Sequence, residues 1–112
     1  IVQAVTANGS GTALAVTLAA FGDTDNPTMG FFGVATTAVY TVGTGFQNVG
    51  EQSQGTPSIN ILAEFNPAND TSVDATAGGS GNWSGIAIEL KASVATSATP
   101  AAGTLAVTVT KY

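Results

Sequence analysis

Seven carboxylates, Asp23, Asp25, Glu51, Glu64, Asp70, Asp74 and Glu89, are the side chains of this sequence best suited to chemistry, because histidine, cysteine and arginine are all absent. That absence removes most nucleophile and base pairs and the usual transition-state clamps. A two-carboxylate mechanism remains, and it needs two acids facing across a cleft. Glu64 in SINILAEF and Glu89 in GIAIELKA both sit in alternating segments and can share a face. The alternative places both on solvent faces, with Glu89 beside Lys91. A domain of this size has little room for a walled cleft as well as a core. No catalytic residue is therefore assigned, and the expectation is a non-enzymatic protein that needs no cofactor.

Two other kinds of site deserve weighing. GDTDNPT carries Asp23, Asp25 and Asn26 in an alternating oxygen-rich loop of the kind that binds calcium, but it lacks the glycine and the closing glutamate of an EF-hand. A turn held by Asx hydrogen bonds before Pro27 explains the same residues, so no metal site is assigned. Trp83 is a candidate for stacking on a sugar ring, with Tyr40 or Tyr112 assisting. An indole that opens an apolar strand also commonly closes the end of a core, and Trp83 is expected in that structural role. Asn8, Asn69 and Asn82 each begin a glycosylation sequon.

Composition narrows the partners. Charged residues make up 8% of 112 residues, the only cations are Lys91 and Lys111, and the net charge is -5. Phosphate neutralisation needs clustered Lys or Arg, so nucleic acid is not an expected partner. An anionic membrane surface is disfavoured on the same ground. No apolar run reaches the ~18 residues of a membrane span, and no basic stretch followed by an apolar one marks a signal peptide. With Ile1 first and the only methionine at position 29, the expectation is a processed secreted chain or one module of a longer protein.

The elements that would position these residues are strands. Apolar alternation at period two recurs, with no helical stripe of useful length. TALAVTLAAF (12–21) puts Leu14, Val16, Leu18 and Ala20 on one face. In SINILAEF (58–65), Ile59, Ile61 and Phe65 are read as inward and Asn60 and Glu64 as outward, beside Leu62. GIAIELKA (85–92) turns Ile86, Ile88 and Leu90 inward and Glu89 and Lys91 outward, and GTLAVTVTKY (103–112) alternates on Leu105, Val107 and Val109. Weaker strands are expected at 1–6, 28–35, 38–42, 45–51 and 72–76. Turn chemistry at ANGSG, GDTDNPT, GTG, QGTP, FNPAND and GGSGN separates them. About eight or nine short strands at this spacing predict an all-β, antiparallel β-sandwich of jelly-roll-like form. The domain reading is a module over 1–92, an Ala/Thr/Ser/Pro linker over 93–102 and a C-terminal strand over 103–112, which joins its own sheet or a neighbouring subunit by strand addition.

The ordered series LAAFGDTDNPTMGFFG, TVGTGFQNVGEQS, LAEFNPANDTSVDAT and NWSGIAIELKA resembles β-sandwich modules of phage structural proteins and of secreted bacterial proteins of similar composition. The likeness spans Ile1 to Ala92. It is carried best by GTGF…GE (43–51), NDTSVDAT (69–76) and the strand W-x-G-I-A-I-E-L (83–90). It implies a structural role and brings no catalytic residues. The expectation is a subunit of a virion or extracellular assembly, as a capsid-decorating or tail-associated protein, whose partners are copies of itself or other structural proteins of the same assembly. A secreted carbohydrate-binding module, with a glycan as partner, and a filament subunit joined by strand exchange are the alternatives.

Overall fold

A computed structural model describes residues 1–93. Six strands account for the regular structure: β1 (Gln3–Thr17), β2 (Thr28–Val34), β3 (Tyr40–Val42), β4 (Gln47–Gly55), β5 (Ser58–Asn66) and β6 (Ser72–Glu89). All pairings are antiparallel, and no helix among the described residues is long and apolar enough to cross a membrane. The linker beyond Ser93 and the expected strand at 103–112, with Leu105, Val107, Val109 and Tyr112, lie outside the described residues.

The long strands β1 and β6 organise everything else. The C-terminal half of β6 pairs with the N-terminal half of β1 and with β2, and β5 and β4 follow, giving the order β1-β6-β2-β5-β4. The N-terminal half of β6 pairs instead with the C-terminal half of β1 and with β3. The register slips where the halves meet, from Gly11 opposite Gly81 to Ala13 opposite Thr76. Side chains from both halves meet in one core: Leu14, Val16, Leu18, Val73 and Ala75 from one, and Phe32, Val34, Leu62 and Ala87 from the other.

Among the described residues the strand count is six rather than the eight expected there, because two pairs of expected strands, 1–6 with 12–21 and 72–76 with 85–92, are each continuous. ANGSG and GGSGN, read as turns, run inside β1 and β6. The glycines of GGSGN serve close approach, whereas Gly11 of ANGSG, at φ 114°, stands where the register slips. The 35–39 segment crosses β6, held by Ala35 N donating to Asn82 O at 2.9 Å and Gly78 N donating to Val39 O at 2.8 Å. A Cβ on Gly81 would sit 2.8 Å from Ala35 O, and one on Gly78 would sit 2.9 Å from Val39 O. Because the obstacle is backbone, Gly81→Ala is expected to lower stability by about 1–3 kcal/mol, the usual range for overpacking; urea denaturation measures it.

The other turns form as their residues suggest. GTG closes a β-turn in which Phe46 N donates to Gly43 O at 3.1 Å, with Gly45 at φ 85°. That positive φ at the third position is the type II geometry that favours glycine. Thr56 and Pro57 form the two-residue connection of the β4–β5 hairpin through a cis peptide bond. Leu14, Val16 and Leu18 are buried as their alternation predicts, but Ala20 is exposed, because β1 ends at Thr17 and the chain turns away.

Candidate functional site

The alternating segments of β5 and β6 are inverted relative to expectation. Asn60, Leu62, Glu64 and Asn66 of β5, and Ala87 and Glu89 of β6, are buried. Ile61 is 52% exposed and Ile86 42% exposed, and Ile59, Phe65 and Ile88 are only half-buried. Glu64 and Glu89 do share a face, as one reading of the sequence allowed, but it is the inward face. The inward rows carry little side-chain volume at Gly30 and Gly85, and those gaps are filled by partners from the other half of the fold. Cβ atoms built on these glycines would meet Val73 and Glu64, or Phe32 and Val16. Larger residues on this side would collide with that packing, so the bulky isoleucines face out.

The two glutamates are in different situations. Glu89, 1% exposed, accepts from Asn26 Nδ2 and from Gln3 Nε2, both at 2.6 Å. Asn26 Oδ1 in turn accepts from Ala92 N at 2.8 Å, and the Gln3 amide also holds Ala19 through both its N–H and C=O. A carboxylate suits this place because it offers two acceptor oxygens to two amide donors arriving from different elements. Gln3, Asn26 and Glu89 thereby fasten the start of β1, the 23–27 loop and the end of β6.

Glu64 has no exposed surface, and neither carboxylate oxygen makes a well-formed hydrogen bond, the Gly43 amide lying close by but outside hydrogen-bonding geometry. Burial pushes its pKa up to about 7; the Gly43 amide opposes the rise, and the charges of Asp74 and Asp70 add to it. The register places Glu64 two strands and one row from Glu89, roughly 12 Å apart at Cα by ordinary strand spacings. The described residues place no open cleft between them.

A third acid, Glu51 of β4, stands opposite Leu62 of β5. It accepts from Tyr40 N at 3.1 Å and from Asn60 Nδ2 at 2.5 Å, while Asn60 Nδ2 also donates to Ala38 O. Tyr40 is buried, donates its hydroxyl to Asn60 O at 2.9 Å and is pushed up to about 12, by burial first and by the Glu51 charge second. Its ring offers no face to a ligand. Trp83 is half-buried on the inward face, edge-on to Phe32 with ring centroids 6.4 Å apart and lying against Gly9. Its buried Nε1 has no hydrogen-bond partner. The structure does not bring Trp83 and Tyr40 together as a platform.

In the 23–27 loop, Asp25 N donates to Asp23 Oδ1 at 3.0 Å, an Asx turn. Asp23 and Asp25 are exposed, whereas the Asn26 amide is engaged by Glu89 and Ala92. Among the described residues no cluster of three or more acids is spaced to hold a metal ion. Asn8, Asn69 and Asn82 are all exposed.

What sequence reasoning missed is the outward face. By register, its rows run Ala4, Ile88, Met29, Phe65; then Thr6, Ile86, Phe31, Ala63; then Asn8, Ser84, Gly33, Ile61. No charged residue lies in these rows. Gly33, in the third row, lacks a side chain, and a Cβ there would touch nothing within 4 Å. A hollow of about 530 Å³ opens above it between Phe31, Ile59, Ile61 and Ile86. A smaller one of about 360 Å³ continues past Pro57 and Ser58. The signal was the alternation of isoleucines itself, assigned to the wrong side. No protein-family model matches the chain, and no curated protein or solved structure shows significant similarity to it.

Proposed function

We propose that this protein is a non-enzymatic structural subunit of a virion or other extracellular assembly, folded as a jelly-roll-like β-sandwich module, with phage capsid decoration or tail association as the specific role. The observation that carries the reading is the uncharged apolar face of β6, β2 and β5, open to solvent with Ile61 and Ile86 protruding. A contiguous apolar patch of this kind marks an interaction surface. The acids able to do chemistry are engaged elsewhere: Glu89 and Glu51 hold polar networks, and Glu64 is sealed in the core. The likeness of the 43–51, 69–76 and 83–90 segments to modules of phage structural proteins and secreted bacterial proteins points the same way.

Quantitative mass spectrometry of purified particles or extracellular assemblies from the source tests the proposal. The chain is expected at a fixed, high copy number relative to the principal structural protein. Its recovery only as free protein in the soluble fraction would remove the assembly role.

A further inference from the structure

Resting on the assembly reading, we infer that the outward face of β6, β2 and β5 is covered by the same face of a second copy of this chain, in a two-fold symmetric pair. Three observations carry this. The first is chemistry: the face has no charge, so a charged partner would bury its ions there without a counter-charge, at high cost. The covering surface must itself be uncharged and apolar, and this chain presents one. The acids responsible for the net charge of -5 lie in the 23–25 loop, in the core, or around Glu51, Asp70 and Asp74, so two faces meet without opposing like charges.

The second observation is shape. A two-fold interface must be self-complementary, each patch supplying both the projection and its receptacle. Here Ile61 and Ile86 project beside the hollow above Gly33. A rotation axis through the centre of the face seats the isoleucines of each copy near the hollow of the other. The third is area. Seven residues along β2 and five strands across give roughly 24 Å by 20 Å, about 500 Å² per copy and about 1,000 Å² for the pair, which reaches the size at which specific interfaces begin. Thr6 and Asn8 on one side and Gln52 and Gln54 on the other supply the polar rim such interfaces have.

Sedimentation velocity on the full chain tests the inference with a matched pair of variants. Ser84→Arg puts one charge in the middle of the face and Ala15→Arg puts the same charge on an exposed position of the other half of the fold. At about 100 µM, above the micromolar affinity of weak interfaces, the wild type and Ala15→Arg are expected to be dimers. Ser84→Arg and the independent variant Ile61→Asp are expected to weaken the dimer about 30-fold or more, the effect of losing a central contact, with their circular dichroism melts showing a folded chain. A monomeric wild type, or a dimer that survives both face variants, overturns the inference. If the wild type is monomeric while Ser84→Arg is lost from assembled particles, another protein covers the face: the pairing fails and the assembly role stands.

Discussion

Glu89→Ala is expected to destabilise the fold by about 2–6 kcal/mol, about 1–3 kcal/mol for each of the two amide donors it leaves without an acceptor. The alanine would leave Asn26 Nδ2 without its 2.6 Å acceptor and free the Gln3 amide from the end of β6. Three elements far apart in sequence would lose their common fastening. Glu89→Gln keeps the shape but turns a donor toward one of the two amides, so it should cost less, about 1–3 kcal/mol. Urea denaturation of the three proteins at one pH measures both differences. Equal stabilities for wild type and Glu89→Ala would show that the network contributes nothing net.

Glu64 should have the opposite sign. Its pKa of about 7 in the fold lies above the ordinary value of 4.5, so the folded state binds the proton more tightly than the unfolded chain does. The resulting stabilisation is fully present below about pH 4.5 and is lost as pH rises through about 7. Stability contributed by this residue therefore falls across that window and then levels off, because an unpartnered carboxylate must ionise in the core. Glu64→Met places a flexible apolar side chain of similar length against Val73. At neutral pH it is expected to stabilise by about 1–4 kcal/mol, as replacement of buried charges by packed apolar groups often does. Melts of the two proteins from pH 4 to pH 8, flanking that window, should diverge as pH rises. Parallel curves, or a variant less stable than wild type at neutral pH, would mean that Glu64 has a partner in solution.

Much of the scaffold was legible along the chain. Period-two alternation announced the strands, and Leu14, Val16 and Leu18 proved to be core. Asp, Asn, Gly and Pro at 22–27, 43–45, 57 and 67–70 lie between strands, because their preferences act over two to four residues and need no distant partner. The glycine run of β6 misled for a definite reason. Glycine permits a turn and also permits another backbone to pass at contact distance, and only the crossing of the 35–39 segment over β6 selects the second use.

By itself, the sequence determined that this is an antiparallel β protein with almost no charge, which residues share a face of each strand, and that its acids lack histidine or cysteine partners. The tertiary structure alone decided which of the two faces is buried. Alternation has two solutions of equal period, and one residue of register exchanges them. The choice followed from volume: Gly30 and Gly85 leave space that Val73, Val16 and Phe32 fill, so the small and polar side of β5 and β6 turns inward and the isoleucines turn out. Tertiary structure likewise decided the role of Glu89, whose partners stand 63 and 86 residues away. Local sequence holds no trace of such a contact, because two chain segments that distant meet only when the whole sheet has formed.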